Sequence, residues 1–145
     1  MKTLSIDPAN ADLNSMIERG TALHGHLGPY LVAGIRMGLH ALALLQSPGY
    51  FGVRAQSEAG RKTPLSCLND GIQIGSGCTA GKGNLGIEDV GRARVRFETD
   101  DDAVTIELRE EIEASFREAD PIVKAREIAT RPVEELFSWT PLSSR

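Results

Sequence analysis

Cysteine is nearly absent from this chain: Cys67 and Cys78 are the only two in 145 residues. That excludes the dense disulfide framework of a small secreted domain. An excess of positive charge is absent as well. Lys and Arg number 16 against 20 Asp and Glu, a net charge of -4, so nucleic-acid binding through many phosphate contacts is not expected. Residues 1–10 include Asp7 and Pro8 and no apolar run, so no signal peptide is expected. The longest apolar stretch, Gly28 to Leu45, has Arg36 and His40 inside it. Charge at a bilayer centre is costly, so this stretch is expected as a buried core helix, with no membrane partner and a cytoplasmic location. Internal repeats, low-complexity runs and Pro/Gly-rich linkers are missing too, which predicts one domain over residues 1–145.

What is present is ordinary globular material, 41% hydrophobic and 25% charged, with 15 glycines. Asp7 and Pro8 suit the start of a first helix over Asp7 to Gly20, with Leu13, Met16 and Ile17 on its apolar stripe. Pro29 opens a second helix to about Gln46, apolar almost all round and hence central. Gly34 and Gly38, one turn apart on it, would let another element approach closely. A strand is expected over Tyr50 to Glu58 and a short helix over Leu65 to Ile74. Ala93, Val95 and Phe97 alternate with Arg92, Arg94 and Arg96, and Val104, Ile106 and Leu108 alternate with Thr105 and Glu107. Joined by the acidic turn Thr99 to Asp102, these predict a hairpin whose arginines face solvent and partly pair with Glu107. Asp120 and Pro121 start a helix to about Thr130, and Pro132 starts a last one. The expectation is an α+β fold, helices packed on a small antiparallel sheet.

The glycine-rich segment Gly75-Ser-Gly-Cys-Thr-Ala-Gly-Lys-Gly-Asn84 invites a nucleotide-binding reading, and its spacing rejects it. Counting back from Gly81-Lys82, the first glycine of a phosphate-binding loop falls on Ser76, and Gly83 stands where a hydroxyl is needed. The loop still offers Lys82 and several backbone N–H groups, a setting that suits an anion. His24-Gly-His26 is a second feature: two imidazoles one residue apart in a turn can aim at one point, as a metal site requires. Either histidine could instead be a hydrogen-bonded structural residue, and either cysteine a small buried apolar one. Two imidazoles and two thiolates would complete a tetrahedral zinc, whereas three ligands would leave a position open. No strong serine-triad arrangement is present, and His40 has no assigned role.

Two blocks, His24-Gly-His-Leu-Gly-Pro-Tyr-Leu-Val-Ala-Gly-Ile-Arg-Met-Gly38 and Cys67-Leu-Asn-Asp-Gly-Ile-Gln-Ile-Gly-Ser-Gly-Cys-Thr-Ala-Gly-Lys-Gly-Asn-Leu85, resemble the formylmethanofuran dehydrogenase E-subunit family. The likeness spans roughly Asn14 to Phe97. It implies that His24, His26, Cys67 and Cys78 line one metal site, for zinc or another divalent transition metal. It implies further that Asp70, Gln73, Thr79, Lys82 and Asn84 lie beside that site as ligand-binding residues. The chain departs from the family pattern at Gly28, where a cysteine is usual, and no cysteine follows Cys78, so the C-terminal zinc finger of many members is not expected.

The resemblance and the sheet edges together predict a homodimer. Three functions compete. One is a metal-binding accessory protein for one-carbon metabolism involving a molybdenum or tungsten enzyme. A second is a metal-dependent enzyme acting on a small anionic substrate, and a third is a plain structural module. An open coordination position beside a pocket would favour the enzyme over the accessory role.

Overall fold

A computed structural model describes residues 2–144. Among them six helices pack against a mixed open sheet, an α+β arrangement. The helices are α1 (Leu13–His24), α2 (Pro29–Leu45), α3 (Cys67–Ser76), α4 (Glu110–Ser115), α5 (Pro121–Thr130) and α6 (Val133–Leu136). The strands are β1 (Arg54–Ser57), β2 (Leu85–Ile87), β3 (Arg94–Glu98), β4 (Asp102–Leu108), β5 (Phe137–Trp139) and β6 (Ser143–Ser144). The sheet order is β2-β1-β3-β4-β5, with β6 also pairing β4. The β3–β4 hairpin forms as expected, with Val95 opposite Ile106 and Phe97 opposite Val104, all four buried. Arg92, Arg94 and Arg96 are spent on ion pairs with Glu107, Glu58 and Glu98.

The sheet is mixed rather than antiparallel, because β2 lies parallel to β1. The first helix begins at Leu13, not Asp7. Asp7 instead accepts bonds from the Ala9 amide and the Asn10 side chain in a local turn, while Asp12 caps the helix by accepting from the Ser15 amide. The strand expected from Tyr50 shrinks to Arg54–Ser57, since Tyr50 (φ 67) and Gly52 (φ 74) hold left-handed turn conformations that a strand cannot use.

The central helix is α2, with Leu31, Val32, Ile35, Met37 and Leu42 fully buried. Its one arginine is not stranded: Arg36 donates to the Ile128 and Ala129 carbonyls at the end of α5, the groups a helix C-terminus leaves unpaired. His40 packs against Trp139 (ring centroids 4.3 Å apart) and Phe137 (6.5 Å).

What positions the site is the contact between α2 and α3. A Cβ on Gly34 would sit 2.2 Å from the Leu68 carbonyl oxygen, one on Gly71 2.1 Å from that of Leu31, and one on Gly75 2.2 Å from that of Ile35. No side chain fits there, so the two backbones touch. Gly34 meets Leu68 and Gly71, and Gly38, one turn on, meets Gly75, so the helices run in the same direction. Their N-terminal ends, Pro29 and Cys67, therefore lie at the same edge of the molecule.

Candidate metal centre

That edge gathers the first sequence block and the start of the second. His24 is the last residue of α1, and Gly25 (φ 99) ends the helix in a left-handed turn that favours glycine. His26 follows, and its ring stands 4.5 Å from that of His24, centroid to centroid. Cys67 reaches the same point from α3: one candidate ligand atom from each of His24, His26 and Cys67 lies within 4.8 Å of the others.

The hydrogen bonding of His24 suits a ligand. Its Nδ1–H donates to Asp70 Oδ2 at 2.6 Å, one turn along α3 from Cys67. With the proton on Nδ1, the lone pair falls on Nε2, and Nε2 is buried without a hydrogen-bond partner. A buried polar atom left unpaired is costly unless something binds it. A carboxylate behind a histidine is also the usual outer support of a metal-bound imidazole. Burial, with Asp70 adding to it, pushes the Cys67 thiol above its ordinary value, so an ion binding there must displace its proton. Two imidazole nitrogens and one sulfur suit zinc and its neighbours among the divalent transition metals.

Cys78 does not join this group. It lies beyond the C-terminal end of α3, roughly 15 Å along the helix from Cys67 at 1.5 Å per residue. Its side chain is fully buried in the main apolar core, where the thiol donates to the Val53 carbonyl at 3.6 Å. Burial pushes that thiol up, only partly offset by Ser76 and Lys82. The sulfur is packed among core residues even though the segment around it is rich in glycine.

Of the residues expected beside the site, Asp70 is there, behind His24. Gln73, Thr79, Lys82 and Asn84 do not line the pocket beside the three ligands; they hold the loop after α3. The Gln73 side chain accepts from the Ala80 amide, and Asn84 accepts from the Thr79 amide while donating to the Tyr50 and Val53 carbonyls. Lys82 donates to the Gly77 carbonyl at 2.7 Å and to the Thr79 hydroxyl at 3.0 Å. That places its charge at the negative end of α3, where a cation is favoured.

The three candidate ligands line one end of a cavity of about 460 Å³. Its remaining wall was not foreseen. Tyr30, Glu110, Glu113, Phe116 and Arg117 line it, with Pro64 and Pro121. The Tyr30 hydroxyl donates to Glu113 Oε2 at 2.5 Å, and Phe116 packs edge-on against the Tyr30 ring at 4.9 Å. Burial first, and Glu113 next, hold the Tyr30 phenol well above its ordinary pKa, with the Cys67 sulfur close enough to contribute. The one sequence signal available was the place of Tyr30, directly after the His-Gly-His-Leu-Gly-Pro segment. Glu113 lies 83 residues away on a short helix that no periodicity announces.

Fold and site together define a small α+β domain carrying a candidate metal centre at one end of a largely apolar pocket. The family model described as FmdE, Molybdenum formylmethanofuran dehydrogenase operon, matches residues 23–140, and the chain belongs to that family. The match runs well past Phe97 and takes in the Glu113 wall. A probable S-adenosyl-L-methionine-binding protein of Archaeoglobus fulgidus is 30% identical over 87 residues, 55% of this chain. Those residues make up 22% of that relative's length. The crystal structure of a tungsten formylmethanofuran dehydrogenase FmdE-like protein from Syntrophus aciditrophicus shares the fold, with a TM-score of 0.63 at 17% identity over 99% of this chain and 78% of the other. Among the described residues no helix is long and apolar enough to cross a membrane.

Proposed function

We propose that this chain is a metal-binding protein of formylmethanofuran-related one-carbon metabolism. It holds one divalent transition metal ion, zinc foremost, through His24 Nε2, a ring nitrogen of His26 and the sulfur of Cys67. The observation that carries this reading is the buried, unpartnered Nε2 of His24, whose tautomer is set by Asp70. The family's description and the name of the structural neighbour support the metabolic setting.

Three protein ligands with a position to spare is the pattern of catalytic zinc rather than of closed structural zinc. The adjoining cavity favours a second reading, a metal-dependent enzyme acting on a small molecule. In that reading an ion would supply Lewis acidity and lower the pKa of bound water. The protein's own part is to fix the ligands through Asp70 and to shape an apolar cavity beside them. Lys82, the reason to expect an anionic substrate, does not line that cavity.

The test is elemental analysis of protein purified without an affinity tag. About one ion per chain is expected, retained against a weak chelator and lost in His24→Ala and in Cys67→Ser. Metal-free protein that also takes up no zinc or cobalt on addition would contradict the proposal.

A further inference from the structure

We propose that the Tyr30–Glu113 wall of the pocket recognises a hydrogen-bond donor, above all a protonated amine, on a small molecule whose other end is a Lewis base held at the metal centre. This rests on the metal-binding reading and adds the chemical class of the ligand.

The wall is built almost entirely of acceptors. The single proton of the Tyr30 hydroxyl is already given to Glu113, so its oxygen offers only lone pairs to a ligand. A carboxylate is acceptor-only, so the second oxygen of Glu113 presents the same face. Glu110, three residues earlier on the same short helix, also lines the cavity and brings a second negative charge. Phe116 packs edge-on against the Tyr30 ring, and the hydrogen bond to Glu113 orients the remaining lone pairs of the hydroxyl. Against the two carboxylates stands Arg117, the one Lys or Arg among the described residues lining the cavity, and it is exposed.

The metal end does not reverse this balance. The charge of a divalent ion there would be offset by the Cys67 thiolate and by the Asp70 carboxylate behind His24. An anionic ligand gains little net attraction from such a pocket, whereas an ammonium gains charge-assisted bonds to Glu113. Pro29, Pro64 and Pro121 also line the cavity and offer apolar contact for a short carbon skeleton. The cavity volume falls in the range that small-molecule sites occupy.

The experiment uses the full untagged chain loaded with Co²⁺, whose visible absorption reports a thiol joining the ion. Three probe series of about two to six carbons are titrated: aminoalkanethiols, mercaptocarboxylates and uncharged alkanethiols. Somewhere in that length range the aminothiol should bind about tenfold or more tightly than the carboxylate of matched length, as a charge-assisted hydrogen bond warrants. Glu113→Gln keeps an oxygen to accept from Tyr30 and removes the charge. It should abolish most of the preference, leaving cobalt content and alkanethiol affinity unchanged, which a merely structural residue would not do. Equal affinities in all three series, a carboxylate preference, or a preference that survives Glu113→Gln would each overturn the inference while leaving the metal site intact. Protein that takes up no cobalt would instead overturn the metal-binding reading, and this inference with it.

Discussion

Gly71→Ala should destabilise the protein even though alanine is the better helix former. Two terms oppose each other. In an ordinary helix interior the exchange favours alanine by roughly 0.5–1 kcal/mol. Here the new methyl would stand 2.1 Å from the Leu31 carbonyl oxygen and 2.8 Å from both Gly34 Cα and the Ile35 nitrogen. All three are backbone atoms of α2, so no rotamer change can relieve the clash. The helices must separate until that 2.1 Å reaches at least the 3.4 Å of ordinary contact. Overpacking of this kind typically costs about 1–3 kcal/mol, and the upper end applies where neighbours cannot yield. The net loss is then about 2 kcal/mol, or about 4–8 °C in Tm for a chain of this length. Gly81→Ala is the control: nothing lies within 4 Å of its added Cβ, so its stability should change by less than about 0.5 kcal/mol. Urea denaturation followed by circular dichroism measures both. Because the α2–α3 contact also brings Cys67 to the turn before α2 that holds His26, Gly71→Ala should weaken zinc binding as well. A Gly71→Ala protein as stable as wild type would refute the backbone contact and the account of how the site is assembled.

Three further outcomes are expected. Asp70→Asn should leave the fold intact and lower zinc affinity about 10–100-fold, the usual effect of losing a carboxylate behind a ligating histidine; competition against a chromophoric chelator measures it. Cys78→Ser should lower stability by about 1–3 kcal/mol, since it buries a hydroxyl in the main core, yet leave metal content unchanged; loss of the ion in this variant would return Cys78 to the site. Glu58 is held below its ordinary carboxylate value of 4.5, first by its hydrogen bond from Arg94. A depressed folded-state value stabilises the fold above the unfolded value, and that contribution disappears as pH falls through the folded one. Glu58→Gln should therefore narrow its stability gap to wild type on acidification below about pH 4.5; a gap that stays constant from neutral pH into this range would count against the pair.

Much of this architecture could be read from local pattern. The hairpin followed from strict alternation in Arg92 to Phe97 and Val104 to Leu108, and α2 from an apolar run opened by Pro29. The His24–Gly25–His26 turn was visible because a single left-handed glycine suffices to bring the two rings together. The resemblance grouped Cys78 with His24, His26 and Cys67, whereas its side chain is buried in the main core beyond the far end of α3, and Gln73, Lys82 and Asn84 tie down the loop that follows it. Gln73, Lys82 and Asn84 were expected beside the site from the resemblance, whereas their hydrogen bonds go to the loop's own backbone and its neighbours. The short strands β2, β5 and β6 escaped notice because two or three residues cannot display a period. The Glu113 wall was hidden for a different reason: it meets Tyr30 only through tertiary packing across 83 residues.

X-ray absorption at the edge of the bound metal, on the untagged chain, tests the central claim most directly. The account predicts a first shell with two imidazole nitrogens at about 2.0–2.1 Å and a single sulfur at about 2.3 Å, the rest light atoms from water or buffer. The sulfur should vanish in Cys67→Ser and persist in Cys78→Ser. A shell with two sulfurs, or with none, would contradict it.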